Sequence, residues 1–582
     1  MAKMEEVLNP KGKEVHEDFR LWITCQESRE FPLGLLQMAI KVTTEPPKGL
    51  QAGIARTFST VVNQDFLEKV EPYEKWRAMV YMLCFMHSIV QERRKFGPLG
   101  FCIPYEFNNS DLEASLLYVE KHMTQTQATG SAMSFKALQY MTCDVQYGGR
   151  ITDDLDREMF QTYGMLWITE DVFKEKYCFN NLITEYNYHI PDFSEHQRYM
   201  EHINTLPERD NPLIFGLNGN ADLTYRLKES GEMINVLVDT QPKESGGGSG
   251  RSREDEVKDK LNNELIKLLP ADFIEMDVVE KIKTLRGPKS LGGTGMEIPL
   301  NVFLSQEIQR LQRVLDIVRN TMQDMVLAID GQIIMTPNLV DCIGAVADFR
   351  VPKTFQFDPT GVEISWLTAS LAGWLKGLID RHYQLNNWLT SPNRERPPSF
   401  WLTGFFNPQG FLTSMKQEVT RQHRSEGWSL DEVDYKSDVM KEIIAGDDGR
   451  IDGKVIKPVD EGVLIHGLYL EGAQWHKSEK RFEEQTTKDL FFNFPIIHVS
   501  AESTNKETMD KAASKKADAG NKEKTHYFCP VYKYPKRNDK YLIFRCYLKA
   551  EGQQGSQKTI PAGMTAVMNW KLKGVALLCC KD

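Results

Sequence analysis

Residues 71–112 read EPYEKWRAMVYMLCFMHSIVQERRKFGPLGFCIPYEFNNSDL, and the first half of that stretch spells one long helix. Trp76, Met79, Val80, Leu83, His87 and Val90 recur at intervals of three and four, while Met82, Phe85, Met86 and Ile89 make the opposite side apolar as well. A helix that is hydrophobic all round is buried on most faces. The spacing therefore predicts a packed helix over 72–95, with Trp76 and Leu83 among its core contacts. Pro72 suits the first turn, where a missing N–H costs nothing. Arg93, Arg94 and Lys95 put positive charge on the last turn, where the helix dipole favours it. Gly97 and Pro98 predict the stop, the glycine as a left-handed cap and the proline because it cannot continue a helix.

The bulk properties narrow the class. A chain of 582 residues is too long for one core, so about three or four domains are expected. Hydrophobic content of 41% and charged content of 26% are ordinary for a globular protein. A formal net charge of −10 argues against a general nucleic-acid binder, whose phosphate contacts need a basic surface. The longest apolar run, 78–90, is interrupted by His87 and falls short of the roughly 20 residues that span a bilayer, so no membrane partner is expected. The N-terminus has no apolar core and does not read as a signal peptide. Ten cysteines are scattered without a CxxC pair, which fits a reduced intracellular setting.

Outward from the opening helix, 19–24 (FRLWIT) and 40–44 (IKVTT) read as short strands, and Glu45-Pro46-Pro47 ends the second. Asn109, Ser110 and Asp111 offer cap oxygens for a helix starting near Leu112, with Leu112, Leu116, Leu117 and Val119 toward a core. Tyr147-Gly148-Gly149 marks a tight turn before the acidic helix start at 152–156. Residues 241–253 (QPKESGGGSGRSR) read as a flexible loop. Ile308, Leu311, Leu315, Val318, Met322, Met325 and Ile329 then alternate by three and four; Val314, Ile317 and Val326 widen the stripe, which favours packing in a globular domain over a coiled coil. A second helix over 364–386 carries Leu367, Leu371, Trp374, Leu378 and a satisfied core His382.

Residues 400–413 (FWLTGFFNPQGFLT) place Trp401, Phe405 and Phe406 in an apolar approach to a helix capped by Asn407, with Pro408 in its first turn. From Gly462 the period changes to two. Runs at 463–469, 495–499, 527–533, 541–548 and 574–580 predict a small β-barrel, with 503–524 as a mobile insert.

Catalytic signatures are missing: no GxxxxGK[ST], HExxH or GxSxG occurs, and Gly292-Gly293-Thr294-Gly295 is followed by Met296 rather than by a phosphate-reaching lysine. No catalytic, cofactor-binding or metal residue is nominated. The candidates are packing residues: Trp76, Leu83, Tyr147, Gly148, Gly149, Trp401, Phe405, Phe406, Asn407 and Pro408.

Several long strings in collinear order carry a resemblance. QERRKFGPLGF followed by IPYEF, YGGR followed by TDD, FWLTGFFNPQGFLTSMKQEVTR and GLYLEGA are similar to the C-terminal end of dynein heavy chains, and GVALLC resembles the outer-arm axonemal members. Where that family usually shows His-Pro, this chain has Asn218-Gly219, which favours positive φ where proline forbids it. The resemblance implies a multidomain α+β chain. Residues 1–70 would be the C-terminal part of the α/β large subdomain of the sixth AAA+ module, so that the chain begins partway through a domain. Residues 71–215 would be the helical AAA+ lid, 216–460 the helical bundle of the C-terminal domain, and 461–582 its barrel. It also implies ring closure and strain transmission in a minus-end-directed microtubule motor of cilia and flagella. ATP and Mg would be held by other modules. The partners would be the remaining AAA+ modules and linker, intermediate and light chains, and microtubules through the complete motor. Two other classes stand beside it: an autonomous ATPase, disfavoured by the missing phosphate loop, and a stand-alone interaction protein derived from such a C-terminus.

Overall fold

The computed structural model describes residues 16–580, apart from residues 17, 26–30, 32, 43–46, 176, 180–187, 241–252, 369, 441–457, 505–525, 536, 538–541 and 550–564. The expected loop at 241–253 and insert at 503–524 therefore lie almost wholly outside the described residues. Neither 19–24 nor the described part of 40–44 is a strand. Both are irregular, with Trp22 87% and Ile40 94% exposed, because no partner strand lies beside them among the described residues.

The first core gathers around a long helix. With α1 at Leu50–Thr60, that helix is α2 (Tyr73–Arg93). Every residue from 79 to 90 is buried. Pro72 is the residue before the first turn rather than within it, and its carbonyl accepts the Trp76 N–H. Around α2 pack α1, α3 (Asn109–Thr129), α4 (Asp154–Trp167) and α5 (His196–Asn204). The first of these shows that 50–70 shares its core with the lid residues. Helix α3 starts at Asn109 and not at Leu112, since the Asp111 carboxylate reaches back to the Asn108 N–H at 2.9 Å. Leu117 is exposed, one position off the buried Leu112–Leu116–Val119 stripe.

A second core begins after α6 (Asn220–Thr240). It holds α7 (Glu275–Thr284), α8 (Pro299–Ile329), α9 (Pro337–Ala347), α10 (Leu371–Leu389) and α11 (Pro408–Gln422). Leu367 precedes α10 and is exposed, and His382 is half-buried, bonding the Ala271 carbonyl at 3.0 Å. Four strands, β1 (Phe400–Trp401), β2 (Val433–Val439), β3 (Val463–His466) and β8 (Ile497–Ser503), form a sheet ordered β1-β3-β8-β2, in which β1 runs parallel to β3. Five more, β4 (Tyr469–Glu471), β7 (Phe491–Asn493), β9 (His526–Tyr532), β10 (Leu542–Lys549) and β11 (Ala576–Leu578), form a sheet ordered β10-β9-β11-β4-β7. The β5 (Gln474–His476) and β6 (Arg481–Glu483) strands pair separately.

The expected barrel is not closed among the described residues. Its strands form separate sheets, and α11 packs against β2, β8 and β10, so that Leu412 and Val419 share one core with Val463, Val499 and Val531. The fold is thus mixed helix and sheet.

Helix α2 offers two tests of this packing. Leu83 is fully buried, so Leu83→Ala should cost about 2–5 kcal/mol in denaturant unfolding. His87 is buried against the Tyr147 hydroxyl (2.9 Å) and the Gln91 amide (2.9 Å), and desolvation lowers its pKa to about 4. A histidine with a depressed folded pKa contributes stability above its unfolded value, lost as pH falls through the interval between them. Between pH 7 and pH 5 this residue should account for a loss of about 2 kcal/mol. The measurement is the stability-against-pH slope of wild type beside His87→Gln, whose slope should be flatter.

Candidate coupling site

The two cores meet where α2 ends. The helix does not stop at a left-handed glycine. Arg94–Leu99 continues as a 3₁₀ turn, and Gly97 sits at φ 57°, ψ −128°, a conformation open to glycine but outside the left-handed helical region. The backbone then folds back so closely that a Cβ on Gly100 would lie 2.1 Å from the Arg93 carbonyl oxygen. That approach brings the Gly100 carbonyl to Arg93 Nε at 2.7 Å.

Arg93, read from the sequence as one of three positive charges on the last turn of the helix, is completely buried. Its Nη1 donates to the Tyr163 hydroxyl at 2.7 Å and to the Phe215 carbonyl, and Tyr163 donates to that same carbonyl at 2.6 Å. Its Nη2 donates to the carbonyl of Leu572, at the end of α12 (Ala566–Leu572). Among the described residues the charge is met by carbonyl and hydroxyl oxygens rather than by a carboxylate. Five donors in a rigid planar fork suit arginine to this, where a lysine would reach fewer acceptors.

A second buried arginine answers from the other side. Arg537 donates to the Pro98 carbonyl at 2.9 Å, to the Gly574 carbonyl, and to the Glu471 carboxylate on β4. Around this pair, Cys102 Sγ meets the Tyr532 hydroxyl at 3.0 Å and Lys571 pairs with Glu158 at 3.1 Å. Asn220, at the start of α6, donates to the Thr486 and Asp489 carbonyls at 2.8 and 3.1 Å and accepts the Lys488 N–H at 2.9 Å. The preceding Asn218-Gly219 makes no positive-φ turn, because the Asn218 side chain instead accepts the Asn220 N–H at 2.9 Å.

Cys102, Asp153 and Asp156 also converge here, within 4.8 Å. Their oxygens already have partners: Asp156 accepts the N–H groups of Cys102 and Ile103, and Asp153 caps α4. Burial raises Asp156 to about pKa 6. The cluster fastens the 99–103 loop to α4.

The sequence-nominated residues lie in or against the two cores and not at this junction, apart from Gly149, which is exposed. Trp76 and Leu83 are fully buried, the Trp76 indole donating to the Phe66 carbonyl at 2.6 Å. Tyr147 holds His87, and a Cβ on Gly148 would lie 2.3 Å from the Cys143 carbonyl, whereas Gly149 has open space. In the other core, Trp401 is half-buried and its N–H donates to Gln384 Oε1 at 2.7 Å. Phe405 is buried and stacks on Phe411 at 4.7 Å, while Phe406 is only half-buried, 6.1 Å from Trp366. Asn407 caps α11 by accepting the Gly410 N–H at 3.0 Å, and Pro408 opens that helix. The N–H groups of Phe406 and Asn407 both donate to the buried Glu307 carboxylate, at 2.6 and 3.2 Å. Missed by sequence reasoning were Arg93, Glu307, Arg537, Asn220 and Leu572. For Arg93 a signal existed: it continues the stripe Met79, Met82, Met86, Ile89.

Arg93→Met should destabilise the protein by at least about 3 kcal/mol in denaturant unfolding, since each carbonyl left dry costs about 1–3 kcal/mol. Arg93→Lys should recover less than half of that loss.

Three family models match in order, all of dynein heavy chains: the region D6 P-loop domain at residues 1–43, the AAA lid domain at 76–221, and the C-terminal domain at 227–579. The sequence is 37% identical over 578 residues to dynein axonemal heavy chain 8 of Mus musculus, covering 99% of this chain and 11% of that protein. It is 38% identical over 565 residues to dynein axonemal heavy chain 5 of Mus musculus, covering 97% and 11%. Against the dynein gamma chain, flagellar outer arm, of Chlamydomonas reinhardtii it is 39% identical over 496 residues, covering 84% and 10%. The chain thus spans about a tenth of the length of these relatives. With the lid and C-terminal domain models filling most of its length, and both cores in place, the chain belongs to the dynein heavy chain family as a C-terminal segment of it.

Proposed function

We propose that this chain is the end of a motor ring, closing it and passing strain between its modules rather than hydrolysing ATP itself. The observation that carries the reading is the junction at Arg93, where the lid and the C-terminal core interlock through buried hydrogen bonds. Packed interfaces of this kind shift between discrete arrangements, so a small displacement passes through them as rigid-body motion. The motor would be an axonemal dynein driving minus-end-directed movement on microtubules in a cilium or flagellum, in keeping with the relatives' names. Its ATP and magnesium would sit in other AAA+ modules. The exposed apolar side chains of Trp22 and Ile40 fit burial against further parts of the sixth module, which favours this reading over a stand-alone interaction protein. Other partners would be the linker and the intermediate and light chains, with microtubules reached only through the whole motor.

The test places Phe405→Ala with Phe406→Ala in a complete dynein motor that ends in this segment. Phe405 is the deeper of the two, and its loss should take about 3–5 kcal/mol from the C-terminal core; half-buried Phe406 should add less. ATP turnover should survive while force or run length falls in single-molecule motility. ATPase lost in step with motility would mean the domain supports the hydrolytic modules directly, and unchanged motility in a destabilised variant would make it a passenger.

A further inference from the structure

Helix α12 belongs to both cores. Val567 and Trp570 pack with the C-terminal core, yet Leu572, two residues on, is 3% exposed and packs with the lid. Two glycines make the seat. At Gly216 (φ +74°) a Cβ would lie 2.8 Å from Leu572 Cβ, and at Gly574 (φ +62°) a Cβ would lie 2.5 Å from the Leu99 carbonyl oxygen. The Leu572 carbonyl closes the hydrogen-bond set of Arg93, the one oxygen in that set supplied from beyond the lid. Immediately after it comes β11, held between β9 and β4 in the interior of the five-stranded sheet.

We propose that residues 565–579 act as a strap that makes the lid and the C-terminal core move as one body, with Leu572 seated in the lid. Residues 573–575 alone separate the seated leucine from β11, at most about 3.5 Å of reach for each, so the connection has little slack. A shift of the sheet therefore pulls directly on the Arg93 cluster. The inference deepens the coupling role proposed above and rests on it only for its purpose in a motor.

The experiment is native-state hydrogen exchange on the full 582-residue protein, comparing wild type with Leu572→Ala. Amides in the last turn of α2 and in α4 should exchange at least about tenfold faster, while those of α8 and α10 change less than about twofold. Acceleration of similar size everywhere would overturn the proposal, since Leu572 would then add only to global stability. Unchanged exchange in α2 and α4 would overturn it too, because the lid would hold without the strap. Should Leu572→Ala fail to fold, Leu572→Val gives the same regional readout at smaller amplitude, and volume-conserving Leu572→Met should keep the wild-type pattern. The measurement needs neither nucleotide nor microtubules, so its failure and that of the motility test are separable.

Discussion

A fully buried guanidinium must find its hydrogen bonds in the protein, and at Arg93 that demand organises everything nearby. Burying an unpaired charge is costly enough that the fold must supply acceptors. They come from the 3₁₀ turn after α2, from the segment before α6, from Tyr163 on α4, and from the end of α12. Each provider has to be placed to within a few tenths of an ångström. The glycines at 100, 216 and 574 are what that precision requires, for in each case a Cβ would occupy the space of a neighbouring backbone or side-chain atom.

The second arginine makes the arrangement reciprocal. Arg93 reaches out of the lid to a carbonyl of the C-terminal core, and Arg537 reaches out of that core to the Pro98 carbonyl of the lid. Arg537 also holds Glu471 on β4, so its charge is balanced within the C-terminal core. Because each core contributes a buried donor to the other, parting the two cores breaks hydrogen bonds of both arginines.

What was legible in the sequence was local. The α2 helix announced itself through the spacing of Trp76, Leu83 and their neighbours, and Asn407 with Pro408 marked the start of α11, because caps and periodicity act within a few residues. Closure of the strands was not legible: short alternating runs mark some strands and miss β2, β5, β6 and β7, and whether strands close on themselves depends on what packs against them, here Leu412 and Val419 of a helix that share their core. The run at 19–24 and the described part of 40–44 have strand composition without strand structure, as pairing needs a neighbour that local sequence does not specify. Arg93 and Arg94 look alike on the page and differ by one position of helical register, which is enough to send one into the core and the other to the surface.

The separation of Arg93 from Leu572 has a consequence for how the protein is made. The two lie 479 residues apart. At a synthesis rate of about 5–20 residues per second, roughly 25–100 s pass between the emergence of the arginine and that of its final acceptor. Helices form and collapse far faster than this, so the lid assembles around a cation whose set of partners is incomplete. During that interval water takes the place of the Leu572 carbonyl, as it does for any polar group not yet paired within the fold.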